Sequence, residues 1–312
     1  MKSKIVSLGG GHGLFQTLRA VRELPADITA VVTVADDGGS SGRIRRELGL
    51  IPPGDLRMAL AALSGDPLWE EVLQHRFGGH GALNGHAVGN LLLSGLEDVL
   101  HDEVKALDML ATLTNSRGRV LPMCSMPLEI EADVSALDSK DPRLMHLIRG
   151  QVAVATTPGH VRRVRLIPEK PPACPEAIEA MMQADLITLG PGSWFSSVIP
   201  HVLVPDIVEA LHETTAHKLV VLNLSSEPGE TTGFSLERHI HMLASHADKL
   251  RVDTVLIDES GLQNPHDREY LERAAERIGA HIYVADVRSN TAQAIHDPHK
   301  LAMAIGSLLQ KG

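Results

Sequence analysis

Short apolar runs alternate with amphipathic stretches along residues 1–65. Lys4 to Leu8 and Ile28 to Val34 are β-rich runs of the kind that form strands buried on both faces of a sheet. Between these runs, Leu14, Leu18 and Val21 recur at helical spacing. Strands that alternate with helices in this way predict βα units on a mainly parallel sheet.

The rest of the chain shows one interruption of this pattern. Residues 55–115 are predicted to be mainly helical, whereas residues 119–168 contain the β-like runs EIEADV, QVAVAT and VRRVRLI, separated by Pro, Gly and Asp. Strands resume at 185–189, 218–224, 254–257 and 281–284, and a last helix follows Asp297, a suitable N-cap. We therefore predict an α/β protein with one domain, 1–312, and an antiparallel β insertion at about 119–168.

Composition narrows the class of protein. The 312 residues carry 29 Lys and Arg against 39 Asp and Glu, a net charge of −10, which gives no general attraction to nucleic acid or anionic lipid. No apolar run approaches the ~18 residues of a membrane span, and Cys124 and Cys174 form no CxxC pair. We expect a cytoplasmic protein without a membrane span or a nucleic-acid partner, in which any phosphate site is local.

The first polar loop is glycine-rich and lies between a predicted strand and a helix. Small residues in this position let backbone N–H groups approach a phosphate, whose charge the helix dipole favours. A dinucleotide fingerprint would need Gly or Ala where Leu14 stands, and a Walker lysine is absent. The loop predicts phosphate binding rather than NAD binding, and a tight turn without a ligand is the alternative. The candidate residues are Gly9, Gly10, Gly11, His12, Gly13 and Leu14.

The second polar loop follows the second predicted strand. Asp36 and Asp37 lie at its carboxyl end, and Ser40, Ser41 and Arg43 then supply donors at a helix start. This combination suits an anionic ligand, with a divalent metal whose hard oxygen ligands would be the carboxylates. Alternatively, one carboxylate binds ribose hydroxyls or acts as a base, or the segment is a capped turn with a solvated basic helix.

Two further segments carry candidate polar residues. Asp55 and Arg57 belong to the rigid turn PPGDLR, where a role for Asp55 as an N-cap is as well supported as a functional role. His86 and Asn90 are one helical turn apart, so both could meet a polar ligand. A histidine satisfied within the core is the alternative.

Two later strands also end in polar loops. The first loop is Gly190-Pro191-Gly192-Ser193, and the second runs from Asn223 to Thr231 and includes Glu230. The GxSxG spacing of a nucleophile elbow is missing, so a Ser-His-Asp hydrolase finds little support. Four strand ends therefore carry polar, glycine-rich loops. Because parallel strands end at one edge of a sheet, this coincidence predicts one shared ligand site.

These segments, in this order, resemble the YvcK/CofD family and its bacterial YvcK branch of gluconeogenesis factors. The segments that carry the resemblance are GGGHGL, VADDGGSSGRIR, PPGDLR, NGHAVGNLLL, LGPGSWFSSVIPHVL and NLSSEPGET. The resemblance implies a three-layer α/β/α Rossmann-like fold, a homodimer, and a ligand at the carboxyl ends of the strands. The YvcK branch implies binding of UDP-sugars, notably UDP-N-acetylglucosamine, and support of cell shape and envelope synthesis on gluconeogenic carbon sources. The CofD branch implies phospholactyl transfer from a guanosine-containing donor to a deazaflavin with Mg²⁺.

The resemblance also brings in residues near the end of the chain. Tyr270 matches a family tyrosine associated with the UDP-sugar, whereas Ile295 stands where the family has an arginine, and Arg288 is a candidate substitute. Three hypotheses follow. The first is a UDP-sugar-binding regulatory protein, and the second is a Mg²⁺-dependent transferase that uses Asp36 or Asp37. The third, an NAD-dependent dehydrogenase, rests on fold analogy alone.

Overall fold

The computed structural model describes residues 2–226, 230–262, 265–291 and 294–310. Ten strands lie in this part of the chain and form two sheets. In chain order they are β1 (Ser3–Gly9), β2 (Ala26–Val32), β3 (Gly118–Pro122), β4 (Glu129–Ser135), β5 (His146–Arg149), β6 (His160–Ile167), β7 (Leu186–Leu189), β8 (His217–Val221), β9 (Thr254–Asp258) and β10 (His281–Ala285).

The main sheet has seven strands in the order β10-β9-β8-β7-β1-β2-β3, and all its strand pairs are parallel. The chain starts at β1 in the middle, moves outward through β2 to β3, and returns to β7 on the other side of β1. The order therefore reverses between β1 and β7. Ligands of open α/β sheets bind at such a switch point, outside the carboxyl ends of the strands.

Helices flank this sheet, and its central strands are buried because both faces are covered. The helices are α1 (Gly11–Val21), α2 (Gly39–Leu48), α3 (Gly54–Leu63), α4 (Pro67–Gln74), α5 (Val88–Leu100), α6 (Glu103–Leu113), α7 (Gln151–Ala155), α8 (Pro175–Met182), α9 (Pro205–Glu213), α10 (Leu236–His246), α11 (Pro265–Glu276) and α12 (Pro298–Leu309). The predicted mainly parallel α/β fold is confirmed.

The small sheet has three antiparallel strands in the order β5-β4-β6. Two expectations about this region were wrong. The segment 118–122 is the edge strand of the main sheet, so the insertion starts only after Pro122. The run QVAVAT forms α7 instead of a strand, because Gly150 turns the chain at a φ of 99° and the Asp37 carboxylate accepts a hydrogen bond from the Val152 amide.

The last helix begins as predicted. Asp297 is the N-cap of α12, and its Oδ1 atom accepts hydrogen bonds from the amides of His299 (3.0 Å) and Lys300 (3.1 Å). Within the described residues, no single helix is long and apolar enough to cross a membrane. Residues 194–203 and 205–213 form two helical segments with a bend of 73° between them. Only the two segments counted together have the length and composition of a membrane span.

Candidate functional site

Two glycine loops meet at the switch point between β1 and β7. A Cβ atom at Gly13 would lie 2.1 Å from the Pro191 carbonyl oxygen and 2.5 Å from the Gly192 Cα. Gly190 and Gly192 adopt φ values of 76° and 135°, which L side chains rarely adopt. The loop after β1 and the loop after β7 therefore pack backbone to backbone, as the prediction of one shared edge requires.

A neutral amide side chain holds the second loop. Asn223 follows β8 closely, and its Oδ1 atom accepts a hydrogen bond from the Gly192 amide while its Nδ2 atom donates to the Gly192 carbonyl, both at 2.9 Å. From the first helix, Thr17 Oγ1 donates to the Gly190 carbonyl at 3.3 Å. The loop is thus fixed by two neighbouring elements before any ligand arrives.

A cavity of about 310 Å³ opens beside these loops. The positive end of the α1 dipole lies at this cavity because the helix begins at Gly11, which suits an anion. The lining residues are His12, Gly13, Gln16, Pro191, Gly192, Asn223, Leu224, Ser225, Ala294, Ile295 and His296. Two polar residues of this lining, Gln16 and His296, were missed by the sequence reasoning.

His296 is the more informative of the two missed residues. It is 6 % exposed, and its Nε2 atom has no hydrogen-bond partner among the described residues. Burial lowers the pKa of the His296 imidazole to about 4, although the negative charge of Asp258 acts in the opposite direction. The available signal was a histidine placed directly before the N-cap of α12, at the edge that carries the other loops.

On the other side of β1, two carboxylates approach each other beneath the first glycine loop. Asp55 Oδ2 would be 2.5 Å from a Cβ atom at Gly10, and Asp36 Oδ2 would be 2.6 Å from one at Gly54. Burial, with the charge of Asp36 in addition, raises the pKa of Asp55 to about 7, although the Gly11 amide and the charge of Arg57 act in the opposite direction. Burial also raises the pKa of Asp36.

The interpretation of Asp55 as an N-cap was wrong. The helix α3 begins at Gly54 with Pro53 in the cap position, so Asp55 lies inside the first turn. Its Oδ2 atom is buried and accepts no hydrogen bond from the described part of the chain. A buried carboxylate oxygen without a donor costs free energy, which suggests a functional role for this atom.

Asp37 does not join this pair. Its Oδ1 atom accepts a hydrogen bond from the Val152 amide at 3.0 Å, and its Oδ2 atom lies against Gly150. Asp37 therefore attaches the insertion to the DDGG loop. The described residues contain no group of three or more His, Cys, Asp or Glu that could hold a metal ion, so Asp36 and Asp55 would offer a cation two carboxylates at most.

Four predicted site residues satisfy one another in a buried chain of hydrogen bonds. Arg57 Nε donates to Asn90 Oδ1 (3.0 Å), Asn90 Nδ2 donates to Ser40 Oγ (3.0 Å), and Ser40 Oγ lies 2.9 Å from His86 Nδ1. Burial, with the charge of Arg76 in addition, lowers the pKa of the Arg57 guanidinium to about 10, although the charges of Asp55 and Asp36 act in the opposite direction. This chain fixes the start of α2 behind the carboxylates.

The remaining residues of the DDGGSSG and glycine loops lie around these groups. Ser41 is buried, and its Oγ atom would be 2.3 Å from a Cβ atom at Gly54, which places it beside Asp36. Arg43 Nη2 donates to the Asn84 carbonyl at 2.7 Å. The side chain of Leu14 is buried in the core, and its amide donates to the Gly10 carbonyl.

The candidates from the end of the chain are more scattered. Tyr270 is 56 % exposed on α11 and does not line the cavity. Arg288 pairs with His296 through its backbone, and its carbonyl accepts a hydrogen bond from Lys300. Glu230 and Thr231 are buried, whereas residues 227–229 of the same predicted loop lie outside the described residues.

Comparison with known proteins decides the family. The sequence profile described as 2-phospho-L-lactate transferase CofD matches residues 5–300. The chain belongs to the CofD family. A protein from Mycobacterium leprae, named "Putative gluconeogenesis factor", is 58 % identical over 305 residues, which cover 96 % of this chain and 84 % of the relative. The "Gluconeogenesis factor" of Bacillus subtilis is 35 % identical over 322 residues, which cover 99 % of this chain and 99 % of the relative.

A crystal structure agrees with these sequence relationships. A member of the UPF0052 family from Bacillus halodurans superposes with a TM-score of 0.86 at 33 % identity, covering 98 % of this chain and 99 % of that chain. The predicted membership of the YvcK/CofD family, in the branch of gluconeogenesis factors, is confirmed.

Proposed function

We propose that this CofD-family protein is a regulatory protein that binds a UDP-sugar, UDP-N-acetylglucosamine in the first place. In this proposal it supports cell shape and envelope synthesis during gluconeogenic growth. The observation that carries the proposal is the cavity at the β1/β7 switch point, between two glycine loops that contact each other through Gly13 and Gly192.

The arrangement of the cavity suits a diphosphate joined to two neutral groups. The start of α1 at Gly11 offers backbone donors and a positive dipole end in a chain whose net charge is −10. Leu224 and Ile295 add apolar surface to the same cavity, while Asn223 is already used in holding Gly192. Backbone donors bind the phosphates, and the apolar part accommodates a base or sugar.

Isothermal titration with UDP-N-acetylglucosamine, UDP and GDP tests this proposal. We expect uridine nucleotides to bind the natural protein and Gly13→Ala to lose binding, because the new methyl group would overlap Pro191. Gly95→Ala is the matched control, since a Cβ atom there meets nothing within 4 Å. Absence of binding heat with every uridine nucleotide would contradict the proposal. Complementation of a deletion strain on a gluconeogenic carbon source tests the cellular role, and sedimentation equilibrium tests the expected homodimer.

A second candidate is a phospholactyl transferase, and the Asp36–Asp55 pair favours it. The unpartnered, buried Oδ2 atom of Asp55 fits a cation, and Mg²⁺ characteristically uses one or two carboxylates together with substrate phosphates. Asp36 and Asp55, rather than Asp37, would hold this ion. When bound, it would neutralise charge on the phosphoryl group being transferred. Arg57 then balances the carboxylates, and the Gly11 amide orients Asp55.

Incubation with a guanosine-activated phospholactate, a deazaflavin and Mg²⁺ distinguishes this candidate from the first. Product formation that is lost in Asp55→Asn, with nucleotide binding retained, would support the transferase. Nucleotide binding without any product, over a range of Mg²⁺ concentrations, would leave the binding protein as the better account.

A further inference from the structure

The lining of the cavity contains a buried imidazole that the proposed function has not used. His296 lines the cavity together with Gly13 and Gly192, and its Nε2 atom is shielded from solvent without a partner among the described residues. Antiparallel pairing of its backbone with Arg288 and the cap at Asp297 fix the segment on both sides. A fixed polar atom that lacks a partner is a feature of sites completed by a ligand.

The position of the ring proton determines what Nε2 can do. The Leu222 carbonyl lies near the imidazole of His296 and favours a proton on it. A neutral imidazole has one N–H, so its second nitrogen carries a lone pair. With the proton on Nδ1, Nε2 is a hydrogen-bond acceptor, and it has no partner among the described residues.

The charged and titratable groups around the ring leave it neutral. Asp258, at the end of β9, would favour the imidazolium ion, but its oxygens already accept hydrogen bonds from the amides of Ser260 (3.0 Å) and Val287 (2.9 Å). His12 shares the cavity from the α1 side and adds no negative charge. Burial prevails, and the pKa of His296 falls to about 4.

We propose that His296 is a specificity-determining residue whose Nε2 atom accepts a hydrogen bond from an N–H or O–H group of the bound nucleotide sugar. This inference rests on the proposed function. Within it, the imide N3–H of uracil suits the site best, because a flat base with apolar faces fits beside Leu224 and Ile295. Cytosine has an acceptor at N3, so two lone pairs would face each other and the base would be rejected. A hydroxyl or amide N–H of the sugar is the other source of the same chemistry.

Titration of UDP, CDP and UDP-N-acetylglucosamine into three proteins tests the inference. We expect the natural protein to prefer UDP over CDP by at least about tenfold, the value of one well-placed hydrogen bond. His296→Phe keeps a flat ring but loses the acceptor, so UDP affinity should fall about tenfold and the preference should approach one. His296→Gln offers an amide oxygen at a similar position and should recover part of the UDP affinity. His299→Gln, on the exposed part of α12, is the control.

The outcomes separate this inference from the function on which it rests. A UDP to CDP ratio unchanged in a folded His296→Phe variant would overturn the inference alone, provided that UDP-N-acetylglucosamine affinity is unchanged too. A selective loss of UDP-N-acetylglucosamine affinity supports it, with the sugar as the donor. Failure of the natural protein to bind any uridine nucleotide would overturn both.

A second measurement varies the pH in a His12→Gln protein, which lacks the other imidazole of the cavity. If Nε2 of His296 accepts, affinity for UDP-N-acetylglucosamine, whose diphosphate has no group that titrates in this range, stays level from pH 8 to pH 6. Affinity that rises as the pH falls through this range would show an imidazolium donor to phosphate and overturn the inference.

Discussion

The two walls of the candidate site, on either side of β1, consist of different kinds of chemical groups. The wall toward β7 and β8 consists of backbone, with Gly13 against Gly192 and the neutral side chain of Asn223 holding the contact. The wall toward β2 consists of ionisable groups, in which Asp36 and Asp55 lie close together and Arg57 balances their charge.

This difference implies that the walls respond to different perturbations. A wall of packed backbone has no room for one added methyl group, and the contact between Gly13 and Gly192 uses no ionisable side chain. The stability of a wall of buried charges also depends on pH and on any cation that it binds. Each of the following predictions tests one wall against the other.

The largest effect is expected for Asp55→Asn, measured without metal. Burial raises the pKa of the folded Asp55 carboxyl from 3.8 to about 7. The folded state therefore keeps its proton while the unfolded state loses it, and the protein loses stability as the pH rises from about 4 to about 7. The loss amounts to roughly 4 kcal/mol at most. The amide variant removes this loss, so we expect it to be more stable than the natural protein at pH 8 and similar at pH 4.

Urea unfolding at several pH values, with EDTA present, measures this difference. Adding Mg²⁺ at pH 8 should then stabilise the natural protein and leave Asp55→Asn unchanged. If the stability of the two proteins depended on pH in the same way, Asp55 would not carry a buried charge. The polar wall would then differ less from the backbone wall in its response to pH.

The next effect concerns the backbone wall. Alanine for glycine in a helix normally stabilises by about 0.5–1 kcal/mol. At Gly13 the sign should reverse, because the methyl group would meet the Pro191 carbonyl oxygen at 2.1 Å, and we expect Gly13→Ala to lose about 3 kcal/mol. Gly95→Ala, where the space is open, should show the ordinary gain. Parallel unfolding curves of the two variants give both signs in one experiment, and a stabilised Gly13→Ala would refute the close contact.

Sequence reasoning reached the fold and the edge of the sheet because both depend on local patterns. The runs at Lys4–Leu8 and Ile28–Val34 match β1 and β2, and the polar loops follow β1, β2, β7 and β8 at one edge. The run at 151–156 misled because its apolar pattern suits a strand, whereas a tertiary contact from Asp37 starts a helix there.

The chemistry of individual residues depended on distant partners and could not be predicted in the same way. Asp36 and Asp37 are adjacent in sequence, but one side chain faces Asp55 and the other reaches the insertion. His296 acquires its role only when the end of the chain folds back against the loops after β1 and β7. Spacing along the chain shows which residues are polar, but it does not show which of them face each other.

An intermediate effect is expected for the two hydrogen bonds that join Asn223, just after β8, to the second glycine loop. Asn223→Leu is close in size but removes both hydrogen bonds to Gly192, and two buried backbone groups then lack partners. We expect a loss of about 2 kcal/mol in stability and weaker binding of UDP. Asn84→Leu is the control, since Asn84 is exposed and its described hydrogen bonds use its backbone amide and carbonyl. Equal stability and equal UDP affinity of the two variants would show that the Asn223 side chain does not hold the second glycine loop.

The smallest effect should come from Asp37→Asn, and it separates the two neighbouring carboxylates. The amide oxygen can still accept the hydrogen bond from Val152, so stability should change by less than about 0.5 kcal/mol and any response to Mg²⁺ should persist. Asp36→Asn removes the charge beside Asp55 and should abolish the Mg²⁺ response while keeping the hydrogen bond from Gly38. Thermal unfolding of both variants with and without Mg²⁺ measures the contrast. A Mg²⁺ response lost in Asp37→Asn but kept in Asp36→Asn would show that Asp37, and not the Asp36–Asp55 pair, binds the cation.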